Sequence, residues 1–142
     1  MDYRVFAIDE LQRVNQLYAA ERNIKSRIAE IDSRMKSVNS GGTGTSGGRG
    51  DNKTEHKLLS LIASKDDEKN RLREVLRGIK RVEDSLATLT DAERKVLQAL
   101  YVEGRSANEL AAAEYSSRST IYRIRDDALI KFTRAMFGAV IT

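Results

Sequence analysis

Apolar residues recur along residues 5–38 at steps of three and four. Leu17, Ile24, Ile28, Ile31, Met35 and Val38 follow this spacing, with Glu21 filling one slot, and Val5, Ile8, Leu11 and Val14 extend the face upstream. That period predicts one long amphipathic helix, with its charged residues at solvated positions and no Gly or Pro to break it. Residues 54–89 repeat the pattern. Leu58, Ile62, Leu72, Leu76, Ile79 and Leu86 form the predicted stripe, flanked by Leu59, Leu61, Val75 and Val82. At about 1.5 Å per residue, both helices are expected to be roughly 50 Å long.

Residues 40–53, SGGTGTSGGRGDNK, interrupt the pattern. Six of the nine Gly lie within 41–50, a composition that predicts a flexible connector. The Gly-Lys-Ser/Thr ending of a phosphate-binding loop is absent. The Arg49-Gly50-Asp51 triplet is short enough to arise by chance. Two matched helices on either side of such a connector predict an antiparallel helical hairpin. Folding about Gly47 sets Lys65–Lys69 opposite residues near 25–29, and the polar residues there predict a weak middle of the seam. A lone two-helix hairpin buries little apolar surface, so self-association, most simply as a homodimer, is expected.

The pattern changes after Leu89. Thr90-Asp91-Ala92-Glu93 is a capping-box sequence, followed by Val96, Leu97, Leu100 and Tyr101 and then by Gly104 as a helix stop. Ser106-Ala107-Asn108-Glu109 reads as a second box, opening a short helix with Leu110 and Ala111. Ser117 with Thr120 marks a third start, and Ile121, Ile124, Ala128 and Leu129 carry that helix to about Phe137. The domain expectation is therefore 1–89 for the hairpin and 90–142 for three compact helices. The fold class is all-α, since no run alternates at period two.

Three short helices with a tight turn into the third fit a helix-turn-helix, whose last helix enters the major groove of DNA. Residues 115–125 hold three Arg and no acid. With Ile121, Ile124 and Ala128 inward, the opposite face presents Arg118, Ser119, Tyr122 and Arg123, with Arg125 on a flank. Arg can donate two hydrogen bonds to guanine, and Ser or Tyr can bond a phosphate or base. Ser117 and Thr120 cap a helix start whose positive end favours phosphate. The DNA-binding expectation thus covers Ser117, Arg118, Ser119, Thr120, Tyr122, Arg123 and Arg125. The plainer alternative is a solvated Arg-rich helix face.

The same stretch resembles sigma-70 region 4. It resembles more closely the sigma-like domain of phage transcriptional regulators of the RinA, ArpU and LtrC type. The likeness rests on Leu-Thr-x-x-Glu-x-x-Val at 89–96, Tyr-x-Glu-Gly at 101–104, Ser-x-x-Glu-Leu-Ala at 106–111 and Ser-x-Ser-Thr-Ile-Tyr-Arg-Ile at 117–124. It covers about residues 86–134. The resemblance implies a promoter-binding late-gene activator, with host RNA polymerase as a further partner. Many such proteins carry an apolar residue and then Gly before the third helix. This chain has Glu114 and Tyr115 there, so a non-Gly residue is expected to face positive φ or a longer turn. Two alternatives are a packaging component resembling a small terminase subunit, and a sigma-like adaptor that binds polymerase without DNA.

Composition narrows the classes further. The 142 residues include no Cys, no Pro, no Trp and one His. Disulfides, thiolate metal sites and His-based zinc clusters are excluded, and no metal or cofactor is expected. His56 lacks a nucleophile or an orienting partner nearby in sequence, so it is expected to be exposed and the chain not to be an enzyme. The net charge of +4 is spread evenly, at +1 in each of 1–38, 39–53, 54–89 and 90–142, so local placement must carry any nucleic-acid argument. No apolar run reaches the roughly 18–20 residues of a membrane span, and the N-terminus does not read as a signal peptide, so a cytoplasmic location is expected.

Overall fold

The computed structural model describes residues 2–41 and 48–138, and among these there are helices and no strands. The order is α1 (Tyr3–Gly41), α2 (Gly48–Leu86), α3 (Asp91–Leu97) continued by a π-helical turn (Gln98–Val102), α4 (Ala107–Ala113) and α5 (Arg118–Phe137). The all-α expectation holds. The expected connector at 42–47 lies outside the described residues. On its flanks the helices run on to Gly41 and start again at Gly48, so residues 40–41 and 48–53 are helical. No helix among the described residues is long and apolar enough to cross a membrane.

The chain forms two compact units, one of Met1–Leu17 with Arg77–Thr142, the other Tyr18–Leu76. The divisions fall within α1 and α2, whereas the sequence places a boundary at 89/90. The physical reason is that the first turns of α1 and the last turns of α2 supply core to the C-terminal helices. Ala7, Leu11 and Val14 are buried, as are Ile79, Val82, Leu86 and Leu89. Gly78 permits a close approach here: a Cβ on it would lie 3.2 Å from Leu17 Cδ1.

In the Tyr18–Leu76 unit, α1 and α2 run antiparallel. Arg27 pairs with Glu68 at 3.1 Å and Asp32 with Lys65 at 2.6 Å. The polar middle of the seam is thus bridged by charge pairs. Glu68 is buried; its Oε1 accepts from Arg71 as well, while Oε2 has no hydrogen-bond partner among the described residues. The inward stripe of α2 differs from the expected one. Leu58, Leu61, Lys65, Glu68, Leu72 and Val75 are buried or half-buried, whereas Ile62 and Leu76 are exposed. Steps alternating three and four keep a seam facing its partner, whereas the four-residue steps 58–62 and 72–76 drift around the helix.

The C-terminal helices pack around Val96, Ala99, Ala107, Leu110, Ala111 and Ile121, with Leu100, Tyr122 and Ile124 partly buried against them. Phe132 and Leu97 are fully buried. The capping box at Thr90 is complete: Glu93 N donates to Thr90 Oγ1 at 3.2 Å, and Thr90 N to Glu93 Oε1 at 3.0 Å. At Ser106 only half of the expected box forms. Its hydroxyl accepts from Glu109 N at 3.1 Å, and the Glu109 side chain stays exposed. Arg94 donates to the carbonyls of Leu86, which also accepts from Leu89 N, and of Leu89, tying α3 to the end of α2 and the turn after it. Gly104 ends the π-helical turn at φ 71° and Gly138 ends α5 at φ 65°.

Glu93 also binds Lys131 of α5, at 2.9 Å. Burial pushes its carboxyl up, but the bonds from Thr90 and Lys131 outweigh this and hold it below its ordinary 4.5. The folded state therefore favours the carboxylate. Its stabilisation is fully present above pH 4.5 and is lost as pH falls through the lower folded value. Thermal unfolding between about pH 6 and pH 3 is expected to show a steeper acid loss for wild type than for Glu93→Gln. Parallel profiles for the two proteins would refute this coupling.

Candidate nucleic-acid interface

The turn between α4 and α5 is a Schellman motif. Ser116 N donates to Ala111 O at 2.9 Å and Tyr115 N to Ala112 O at 3.5 Å. This motif places its penultimate residue in the left-handed region, a position usually held by Gly. Tyr115 occupies it at φ 52°, with its side chain 99% exposed. Of the two expected outcomes, positive φ and a longer turn, the chain takes the first. Lys95 of α3 pairs with Glu114 at 2.5 Å, tying the turn to the core. Because the Tyr115 ring packs on nothing, Tyr115→Gly is expected to raise unfolding free energy by about 0.5–1 kcal/mol, net of the entropy cost of Gly. A neutral or destabilising result in chemical denaturation would show that the left-handed backbone carries no penalty.

Helix α5 starts immediately after. Ser117 is its N-cap, with Oγ accepting from Thr120 N at 3.1 Å and lying 2.8 Å from Thr120 Oγ1. The hydroxyls of Ser117 and Thr120 are thereby turned toward each other. Ile121 is 2% exposed and Ala128 is fully buried, and these fix the rotation of the helix. Arg118, Ser119 and Arg123 are exposed, whereas Thr120, Tyr122 and Arg125 are half-buried.

The seven sequence-expected residues therefore separate into three groups, of which Ser117 and Thr120 are the capping pair just described. Tyr122 leans inward against the core cluster, with the Arg118 guanidinium 5.5 Å and the Arg125 guanidinium 4.7 Å from its ring centroid. Arg125 is further engaged by Asp126, at 2.9 Å from Nε and 2.7 Å from Nη2. Burial pushes the nearby Tyr101 hydroxyl above its ordinary 10.0, with Arg125 opposing and Asp126 reinforcing the shift. Arg118 and Arg123 form no ion pair among the described residues. The open surface consists of Arg118, Ser119 and Arg123, on the first two turns of α5, with Tyr122 as a cation–π platform beneath Arg118.

Two residues of this region have no local sequence signal. Tyr101 sits in the π-helical turn, where Arg125 opposes the rise of its hydroxyl. Asn15 of α1 donates through Nδ2 to Val102 O at 2.7 Å, closing the end of that turn from 87 positions away. His56 is exposed, as expected.

Residues 8–134 match the model of a family described as a protein of unknown function, DUF722, and the chain belongs to that family. No curated protein and no solved structure matches it.

Proposed function

We propose that this member of the DUF722 family is a sequence-specific double-stranded DNA-binding protein. In this reading it is a transcriptional regulator of the phage or prophage late-gene kind. Helices α4 and α5 form the helix-turn-helix, α5 lies in the major groove, and the long helices form a hairpin that serves self-association. The observation that carries the reading is the pair Arg118 and Arg123: two exposed guanidiniums on the start of α5, one turn and a half apart, with no acidic partner among the described residues. On a chain whose other charges are so often paired, unopposed Arg at the start of a helix that follows a fixed turn supplies the chemistry of base and phosphate recognition.

Arg118 and Arg123 are the base-reading candidates, each able to present a fork to guanine. Ser119 reaches a base edge or phosphate between them. The amides at the start of α5, with Ser117 as cap, favour a backbone phosphate. Arg125, held by Asp126 and Tyr122, acts as a positioning residue that keeps the Tyr122 ring in place. The sigma-like resemblance adds host RNA polymerase as a second partner of the same region.

The test is selection from a pool of random duplex oligonucleotides by the purified full chain. The expected result is a recurrent motif rich in guanine at the two Arg positions, with binding that weakens as salt rises. Recovery of no motif, with retention no better than that of a neutral protein, would overturn the reading. Polymerase capture without any DNA retention would favour the adaptor alternative.

A further inference from the structure

Within the Tyr18–Leu76 unit, α2 has a second stripe, one residue round from the seam. Leu59, Ile62 and Leu76 on it are 62%, 39% and 41% exposed. Asp66, Lys69 and Arg73 lie between them, also exposed. The steps 59–62–66–69–73–76 alternate three and four, as in a coiled-coil seam. Asp66 forms no ion pair among the described residues, and the Arg73 guanidinium donates to Asn70 Oδ1 at 2.7 Å. Ile62 and Leu76 are separated by about 21 Å along the axis.

This stripe is its own complement when reversed. Set antiparallel about a two-fold axis at Lys69, Ile62 falls opposite the partner's Leu76, and Asp66 falls within one residue, about 1.5 Å along the axis, of the partner's Arg73, close enough for the two side chains to pair. The two-fold axis repeats both pairs. A parallel arrangement would instead stack Asp66 on the partner's Asp66 and Arg73 on the partner's Arg73. The charge order therefore selects the antiparallel one. Lys69 meets the partner's Lys69 at the axis, flanked by Asp66 from both sides, and this is the weakest layer.

We propose that a second copy of this chain docks antiparallel on the Leu59–Leu76 face of α2, through Ile62, Asp66, Arg73 and Leu76. The inference rests on the self-association part of the reading above and not on DNA binding. It assigns the dimer contact to the outer face of α2, leaving the α1–α2 seam intact within each copy.

Sedimentation equilibrium of the full chain, without DNA, tests it. Wild type is expected to dimerise. Asp66→Arg and Arg73→Asp are each expected to weaken the dimer about tenfold or more, because two symmetric attractions become repulsions. The double variant Asp66→Arg/Arg73→Asp is expected to recover wild-type affinity to within about threefold, since it restores the pairs in reversed polarity. Lys69→Leu is expected to tighten the dimer. Residues 66 and 73 are two turns apart on one helix, and unchanged helical circular dichroism confirms that each variant is folded. A wild type that stays monomeric, single reversals without effect, or a double variant as weak as the singles would each overturn the proposal. Selection of a DNA motif by a monomeric wild type would overturn the dimer alone. A dimer that retains no DNA would overturn the DNA reading alone.

Discussion

The Arg118→Ala/Arg123→Ala double variant is expected to lose specific binding to the selected duplex while unfolding at the wild-type midpoint. Each Arg contributes about 1–3 kcal/mol if it forks onto a guanine, so the pair carries a loss of roughly 30-fold to 10⁴-fold. Stability should hold because both side chains are exposed and neither joins an ion pair among the described residues. Arg118 forgoes only its cation–π contact with Tyr122. The salt dependence distinguishes the roles. An Arg that reads a base changes affinity for one sequence position, whereas an Arg on phosphate lowers the salt slope by about one. Arg125→Ala supplies the contrast, since that guanidinium is already engaged by Asp126 and the Tyr122 ring. Its effect on discrimination between bases should be the smaller. Gel-shift titrations of the three proteins would sink the site assignment if the double variant bound as well as wild type.

The second large effect concerns residues far from α5 in sequence. Leu11→Ala is expected to lower unfolding free energy by about 2–5 kcal/mol, comparable with the roughly 3–5 kcal/mol expected for Phe132→Ala. Both side chains are fully buried, and the first 17 residues belong to the same compact unit as the C-terminal helices. An N-terminal flank that merely touched this unit would tolerate the change within about 0.5 kcal/mol. Hydrogen exchange locates the effect: the α4 and α5 amides of Leu11→Ala should exchange faster than those of wild type. A fragment beginning at residue 86 lacks Leu11, Val14, Ile79 and Val82, and is expected to be poorly folded. Full-length variants are therefore the right material for DNA binding.

Much of this architecture is legible from local chemistry. Thr90 and Glu93 specify their capping box within four residues, Ser117 specifies the start of α5, and Gly104 and Gly138 supply the left-handed ends. The rotation of α5 follows from Ile121 and Ala128, so the exposure of Arg118, Ser119 and Arg123 can be read from spacing. The rest depends on partners distant in sequence. Whether Ile62 or Leu61 faces inward on α2 is set by what α1 places opposite, and the apolar pattern allows either. The inward lean of Tyr122 depends on the core cluster, and the engagement of Arg125 on Asp126 and on the Tyr122 ring. Tyr101 is carried by a π-helical turn that no short motif announces. The recruitment of Ala7, Leu11 and Val14 into the C-terminal unit leaves no mark at the 89/90 junction, because the capping box there would look the same with or without them.

That recruitment gives the chain a schedule. Leu11 and Val14 leave the ribosome about 120 residues ahead of Phe132. At synthesis rates of about 5–20 residues per second, the interval is roughly 6–24 s. Through it, the apolar face of the first α1 turns has no C-terminal helices to bury it. The Tyr18–Leu76 segment emerges in between and can pair its own ion-bridged seam as it appears, whereas the unit that bears α5 closes only after its final helix is made. A chain not yet made as far as Phe132 thus cannot present a finished α5, and the surface bearing Arg118 and Arg123 becomes available only once synthesis has passed that helix.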